Sequence, residues 1–239
     1  MIDIVAFDAD DTLWHNERLF IDTQRRFREL LGRHRDADVI EQRLYDTEVA
    51  NLQHYGYGIK AFTLSMIETA IDLTEGEVTG DEITEILHWG REMLLAPVDL
   101  LPGVEAAITR LADRYPLMVI TKGDLLDQET KLARSGLGDF FSHVEVVSRK
   151  DRGTYEEILA RHGLGPERFV MVGNSLRSDV VPVAEMGAHA MYVPYETTWA
   201  HEDVPPDRLR HLVFHTLESI EDLPRLLEEI AAGGDAGHQ

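Results

Sequence analysis

The sequence predicts an α/β fold, a doubly wound parallel sheet with an inserted all-helical subdomain, from three observations. Short apolar runs rich in strand formers alternate with amphipathic helical patterns over residues 96–239. Residues 16–95 show helical patterns only. One further apolar run, Ile4–Phe7, stands alone before that helical stretch. Because strands that alternate with helices form a parallel sheet covered on both faces, the helical stretch is best interpreted as an insertion after the first strand.

The expected organisation is an α/β core made of residues 1–15 and 96–239, with residues 16–95 inserted as a helical subdomain. Apolar side chains at helical spacing predict the helices of the insertion at residues 17–31, 37–52, 59–73 and 81–95. The segment Tyr55-Gly56-Tyr57-Gly58 interrupts this pattern, and its glycines suit a loop.

The core is expected to alternate strands with helices. Strands are predicted at residues 4–7, 117–120, 144–147, 169–172 and 190–193, with a last edge strand at 212–214. Helices are predicted at residues 104–115, 125–134, 155–162, 179–186 and 220–232. The short tail, residues 233–239, is expected to be disordered.

Composition narrows the possible functions. The chain carries 44 acidic and 23 basic residues, a formal net charge of −21. This charge argues against nucleic acid or an anionic membrane as the main partner, and it attracts cations such as Mg²⁺. The absence of cysteine excludes disulfides, thiolate zinc sites and a cysteine nucleophile. No signal peptide or membrane span is expected, so we predict a cytoplasmic protein, either a monomer or a homodimer.

A cluster of carboxylates follows the first predicted strand, in the sequence Asp8-Ala9-Asp10-Asp11-Thr12. Open α/β sheets bind ligands just beyond the carboxyl ends of their strands. Asp8 and Asp10, one residue apart, can serve there as nucleophile or metal ligand and as general acid and base. The alternative interpretation is a strand followed by a polar turn, in which Asp is common.

Polar side chains also follow three later strands. Thr121 and Lys122 follow one strand, Lys150 follows another, and Asn174 and Asp179 follow a third. Taken singly, Lys150 is more typical of a solvated lysine, and Thr121 of a turn. Together with the first cluster, however, they offer a nucleophile, donors for phosphoryl oxygens, a fixed positive charge and ligands for a hard cation. That set suits phosphoryl transfer.

These motifs resemble those of the haloacid dehalogenase superfamily, most of whose members are phosphatases. Its first motif, a strand followed by Asp-x-Asp-x-Thr, matches residues 8–12, and its second, a strand ending in Ser or Thr, matches residues 117–121. Lys150 matches the third motif, and residues 173–179, GNSLRSD, resemble the acidic fourth motif. The chain departs from the family pattern at Asn174 in place of an acidic residue, Asp11 in place of Gly, and Lys122 in place of Asn.

The resemblance implies a Rossmann-like core with a helical cap and assigns roles to the motif residues. Asp8 attacks phosphorus and forms an aspartyl-phosphate, while Asp10 protonates the leaving alcohol and later takes a proton from water. Lys150 supplies positive charge and pairs with Asp8. Thr121 donates to a phosphoryl oxygen, and Lys122 adds positive charge beside it.

The implied cofactor is Mg²⁺, and the implied partner is a small phosphorylated metabolite. Asp8 and the Asp10 carbonyl would hold the metal together with Asn174 or Asp179. An amide oxygen can bind Mg²⁺ but carries no charge. Therefore either Asp179 is the principal acidic ligand or the affinity for the metal is weakened.

By the same resemblance, the helical insertion corresponds to a cap that contacts the leaving group. The candidate substrate loop is residues 55–60, YGYGIK, and its candidate contacts are His54, Tyr55, Tyr57 and Lys60. The alternative is that the tyrosines pack between cap and core. Outside the motifs, His201-Glu202 is expected to be a surface pair. Trp14 and Trp199 could line the site, but core packing is the preferred interpretation.

The leading functional hypothesis is a Mg²⁺-dependent phosphatase. A phosphomutase would use the same aspartyl-phosphate but protect it from water. A binding or regulatory protein of the same fold with little activity is favoured only by Asn174. A dehalogenase is disfavoured by Asp10, because cleavage of a carbon–halogen bond needs no proton donor for a leaving oxygen.

Overall fold

The computed structural model describes residues 2–197 and 199–232, so the tail predicted to be disordered lies outside the described residues. The chain divides into two compact units. The α/β unit comprises Met1–His15, Val98–Lys122 and Glu129–Gln239, and the helical unit comprises Asn16–Pro97 and Gly123–Gln128. The sequence did not suggest that residues 123–128 group with the helices. The assignment of the two units as catalytic core and cap stays a prediction.

Within the described residues, six strands form one sheet: β1 Ile4–Phe7, β2 Leu117–Lys122, β3 Phe141–Val147, β4 Phe169–Gly173, β5 His189–Tyr192 and β6 His215–Thr216. Their order is β3-β2-β1-β4-β5-β6, and all neighbouring strands are parallel. This arrangement confirms the doubly wound parallel sheet. The last strand pairs with Met191 and Tyr192 through residues 215–216 rather than the predicted 212–214.

The helical unit contains the four helices α1 Glu17–Leu31, α2 Ala37–Tyr55, α3 Ile59–Leu73 and α4 Gly80–Leu95 within its described residues. The predicted helices are all present, and α2 extends past its expected end at residue 52. Their apolar faces bury a common core that includes Phe27, Leu44, Met66, Ile86 and Trp89. The helical unit therefore has a hydrophobic core of its own.

The helices after α4 are α5 Val104–Ala112, α6 Leu125–Arg134, α7 Arg152–His162, α8 Val181–Ala184, α9 Pro206–Leu209 and α10 Leu223–Ala231. They belong to the α/β unit, except that the start of α6 lies in the 123–128 segment of the helical unit. The predicted helix at 179–186 is wrong in its start. A π-helical turn, Leu176–Val180, precedes α8 because the Ser175 side chain accepts from the Ser178 amide and begins the turn directly after β4. No described helix of either unit has the length and apolar character needed to cross a membrane.

The strand β1 lies at the centre of the sheet and is buried on both faces. Val5 and Phe7 join one apolar cluster, and Ile4 and Ala6 join the other, as side-chain alternation along a strand requires. The direction of the strand order reverses between β1 and β4. Ligands of doubly wound sheets bind at the carboxyl ends of the strands that flank such a reversal. Asp8 follows β1 at this point.

Candidate active site

Asp8 and Lys150 form the centre of the candidate site. The Asp8 amide donates to the Val172 carbonyl over 2.8 Å, which continues the β1–β4 pairing to the end of the strand. Lys150 Nζ donates to Asp8 Oδ1 and, over 2.7 Å, to Asp179 Oδ1. The Lys150 side chain is 1% exposed, so this lysine is not the solvated residue that it resembles when taken singly.

Burial and neighbouring charges shift the pKa values of both Asp8 and Lys150. Burial raises the pKa of the Asp8 carboxyl to about 7, against the opposing charge of Lys150. Burial by itself would lower the pKa of Lys150. The charges of Asp179 and Asp8 together raise it by more than burial lowers it, so the pKa lies above its usual value. The lysine therefore remains a cation shared by two carboxyl groups. A further cation beside Asp8 would favour its ionised, nucleophilic form.

Asp179 is the second carboxylate that accepts a hydrogen bond from Lys150. Its Oδ1 accepts from Lys150, and its Oδ2 accepts from the Ser175 amide over 3.0 Å. The side chain lies against Gly173, where a Cβ atom would come within 2.3 Å of Asp179 Cγ. Glycine at the end of β4 thus makes room for this carboxylate. With both of its oxygens accepting from protein donors, Asp179 is placed to orient Lys150.

Asn174, rather than Asp179, faces the side of Asp8 opposite Lys150. Asn174 Oδ1 lies 3.3 Å from Asp8 Oδ2, 3.3 Å from the Asp10 carbonyl oxygen and 3.2 Å from Thr12 Oγ1. The Thr12 hydroxyl is also within hydrogen-bonding distance of Asp8 Oδ2, at 3.3 Å. No proton lies between the Asn174, Asp8 and Asp10 oxygens in this orientation. In the rotated orientation the NH₂ group is within donor distance of Asp8 Oδ2, the Asp10 carbonyl and Thr12 Oγ1, so the oxygens face one another only when a cation takes the place of those hydrogen bonds.

This set of oxygens fits a hard cation. A carboxylate, a peptide carbonyl and an amide oxygen are ligands that Mg²⁺ accepts, and adjacent ligands of an octahedral Mg²⁺ lie about 3 Å apart. Among the described residues, no group of three or more His, Cys, Asp or Glu side chains is arranged to hold a metal. A site here would therefore depend on Asp8, the Asp10 carbonyl and Asn174, completed by water or substrate.

The Asp10 side chain is held by the α/β unit. Trp14 Nε1 donates to Asp10 Oδ1 over 2.7 Å, and Lys131 Nζ donates to the same oxygen over 3.1 Å. Trp14 is 1% exposed, as expected for core packing, and it also orients a candidate acid. The backbone turns at Asp11, whose φ of 60° lies in the left-handed region. This explains why glycine is common there and why Asp is tolerated.

Thr121 and Lys122 end β2, next to β1 in the sheet. Thr121 is buried, and its hydroxyl donates to the Lys122 carbonyl over 3.3 Å. The Lys122 ammonium donates to Glu202 over 2.6 Å and to Ser178 over 2.9 Å. The expectation that Glu202 is a surface residue is wrong, because its side chain is 10% exposed. No motif or spacing in the sequence signals this residue.

The family model for haloacid dehalogenase-like hydrolases matches residues 2–187 of this chain. The chain belongs to that family. A haloacid dehalogenase-like family hydrolase from Xanthomonas campestris has a similar structure, with a TM-score of 0.86 and 40% identity. The alignment covers 98% of this chain and 93% of that one. Together these findings confirm the family resemblance of the four motifs.

Two curated relatives of this hydrolase are glyceraldehyde 3-phosphate phosphatases. The enzyme from Pyrococcus furiosus is 25% identical over 233 residues, which is 95% of this chain and 92% of that enzyme. The enzyme from Methanothermobacter thermautotrophicus is 38% identical over 96 residues. That match spans 37% of this chain and only 42% of the relative.

The remaining candidate substrate residues of this hydrolase lie in the helical unit. Tyr55 is the last residue of α2, and Tyr57 follows in the loop before α3. Lys60 Nζ pairs with Asp124 Oδ1 over 2.8 Å, inside the same unit. The loop also approaches Asp124 at Gly58, whose φ of 110° requires glycine. Substrate binding by Tyr55, Tyr57 and Lys60 stays a prediction.

Proposed function

We propose that this hydrolase removes the phosphoryl group from a small phosphorylated metabolite, with Asp8 as the nucleophile and Mg²⁺ as the cofactor. Phosphatases that align over most of the chain confirm the broader expectation of a phosphoric monoester hydrolase. One observation supports the finer proposal most directly. Asp8 lies between a buried ammonium, Lys150, and a group of oxygens that suits a hard cation.

In the first step, an Asp8 carboxylate oxygen attacks phosphorus and the bond to the ester oxygen breaks. Asp10 transfers its proton to that oxygen, so that the substrate leaves as an alcohol. Lys150 would supply a cation, and Thr121 a hydroxyl donor, to stabilise charge on the phosphoryl oxygens. The products of this step are an aspartyl-phosphate on Asp8 and a free alcohol.

In the second step, water attacks the aspartyl-phosphate and the bond from phosphorus to Asp8 breaks. Asp10, now a carboxylate, accepts the proton of that water, which regenerates the acid for the next turnover. Lys131 and Trp14 hold Asp10 as hydrogen-bond donors.

Asp8, the Asp10 carbonyl and Asn174 would hold Mg²⁺. When bound, this ion supplies positive charge that offsets the repulsion between an anionic nucleophile and an anionic ester. Because Asn174 is neutral, the affinity for Mg²⁺ is expected to be lower than with a second carboxylate at that position.

The relatives suggest which substrate to test first. They are glyceraldehyde 3-phosphate phosphatases, so a three-carbon phosphorylated aldehyde is the leading candidate. The helical unit would contact the leaving group through Tyr55, Tyr57 and Lys60. Substitution of Tyr57 and Lys60 should then change the preference among metabolites more than the rate on a small generic ester.

The proposal is tested by phosphate release from a panel of phosphorylated metabolites, with and without Mg²⁺, for the wild type and Asp8→Asn. We expect metal-dependent release that is lost in Asp8→Asn, while an exposed control, Asp113→Asn, behaves as wild type. Unchanged release from Asp8→Asn would refute the nucleophile. Phosphate that is moved to another position but not released would indicate a mutase. A wild type that neither turns over the panel nor binds Mg²⁺ would indicate a non-catalytic protein.

A further inference from the structure

Glu202 lies in a short 3₁₀ turn, Ala200–Glu202, between β5 and β6, yet its carboxylate is directed into the α/β unit. Oε1 accepts from Lys122 over 2.6 Å. Oε2 accepts from the hydroxyls of Ser175 and Ser178, each over 2.5 Å. One carboxylate thus contacts the residue after the second motif and two residues of the fourth motif.

The donors and acceptors of this network are fully consistent. The Ser175 hydroxyl donates to Glu202 and accepts from the Ser178 amide over 3.0 Å. The Ser178 hydroxyl donates to Glu202 and accepts from Lys122 over 2.9 Å. Each hydroxyl is therefore used once as donor and once as acceptor, which is the arrangement expected of a buried polar network that fixes its members.

A second contact holds the same two segments together. Arg177 Nη1 donates to the His201 carbonyl over 2.5 Å. Arg177 and its neighbours Ser175 and Ser178 lie in or next to the π-helical turn that follows β4. Turns of this kind occur frequently at functional sites. The 200–202 segment contacts this turn through the Glu202 carboxylate and the His201 carbonyl.

We propose that Glu202 is a positioning residue of this enzyme, which clamps the loop of the fourth motif to Lys122 and so fixes Asn174 beside Asp8. This role rests on the proposed function for its catalytic meaning. The clamp acts on Ser175, the residue next to Asn174. The Ser175 hydroxyl donates to Glu202, and the Ser175 backbone amide donates to the Asp179 carboxylate. Asn174 and Glu202 also line the same cleft of about 440 Å³.

The ion pair with Glu202 also compensates the charge of Lys122. Both side chains are largely buried, at 15% exposed for Lys122 and 10% for Glu202. A buried lysine without its carboxylate would be drawn toward the nearest remaining anions, which disturbs the second motif as well as the fourth. The clamp therefore places the Lys122 charge at a fixed position instead of leaving it mobile beside the phosphoryl site.

The test compares Glu202→Gln with a matched control, Glu145→Gln. Glu145 also accepts from a basic side chain over 2.6 Å, but its partners are Arg161 and His162, and it belongs to none of the four motifs. Two measurements are made on each folded variant: kcat and KM on the best ester, and the affinity for Mn²⁺ alone, followed by electron paramagnetic resonance. Ser178→Ala, which removes one hydroxyl of the network, serves as a second variant if Glu202→Gln does not fold.

We expect Glu202→Gln to lower kcat and the Mn²⁺ affinity by about 10-fold or more, as for residues that orient metal ligands, with a smaller change in KM. Adding Ser178→Ala to it should cause little further loss, because both substitutions disrupt one network. Values for Glu202→Gln that match those of Glu145→Gln would overturn the proposal. If the wild type released no phosphate, the proposed function would fail. Mn²⁺ binding that is weakened in Glu202→Gln but not in Glu145→Gln would still support the clamp.

Discussion

Lys150 Nζ donates to Asp179 Oδ1 over 2.7 Å, and each of these side chains is 1% exposed. The buried ammonium has a second carboxyl partner in the candidate nucleophile. A buried ion pair of this kind contributes little to the free energy of unfolding by itself, because the cost of removing its charges from water offsets their attraction. Its value here lies in orientation, since it sets the position of a cation next to the proposed nucleophile.

Removal of the Lys150 charge should be costly. Lys150→Met leaves the Asp8 and Asp179 carboxyl groups buried without their cation, so we expect a loss of about 3–5 kcal/mol in the free energy of unfolding. Urea unfolding followed by circular dichroism measures this change. Hydrolysis should fall below detection at temperatures where the variant is folded. A change in stability of less than about 1 kcal/mol would show that solvent reaches the site more freely than the structure indicates.

Gly173→Ala tests the close approach of Asp179 to β4. The new methyl group would lie 2.3 Å from Asp179 Cγ, so the carboxylate must move and its bond to Lys150 must lengthen. Overpacking of this kind costs about 1–3 kcal/mol, measured by urea unfolding, and activity should fall with it. Gly80→Ala is the control, since a methyl group there meets open space at the start of α4. It should be neutral or slightly stabilising.

Glu48 should make stability depend on pH in the helical unit. Burial, followed by the charge of Glu17, raises the pKa of the Glu48 carboxyl from 4.5 to about 8. Between these two values the folded state holds a proton that the unfolded state has lost, so stability falls as pH rises. Glu48→Gln should remove this dependence and stabilise the protein by roughly 2–4 kcal/mol at pH 9, with little effect near pH 4.

Thermal unfolding of the wild type and Glu48→Gln from pH 4 to 9 measures the effect. Glu85→Gln serves as the control, because Glu85 is an exposed glutamate on a helix of the same unit. Parallel curves for wild type and Glu48→Gln across this range would mean that Glu48 is ionised in the folded state.

Asn174 should limit the affinity for Mg²⁺. Asn174→Asp adds a second carboxylate beside Asp8, and more charged ligands bind a hard cation more tightly. We expect Mg²⁺ affinity, measured by calorimetry, to rise by about 10-fold, and Asn174→Ala to lower it. Equal affinities in all three proteins would place the metal elsewhere. The pH is kept constant because binding displaces protons from carboxyl groups.

Much of the fold followed from local patterns. The runs Ile4–Phe7 and Phe169–Gly173 are short, apolar and bounded by polar residues, and the structure has strands at both. The helix predicted from residue 179 is wrong in its start, since the Ser175 N-cap begins a π-helical turn earlier. Hydrogen bonds to Glu202 and Tyr155, residues distant in sequence, also hold that turn. Periodicity contains no information about such contacts.

The sequence by itself determined which side chains stand at the carboxyl ends of the strands. This is possible because the order of residues along a strand is local, and parallel strands bring their ends to one edge. Only the tertiary structure decided that Asp179 contacts Lys150 while Asn174 faces Asp8, and that Glu202 reaches Lys122 from 80 positions away. These contacts depend on the paths of loops, which the packing of the whole α/β unit sets and which leave no repeating pattern in the chain.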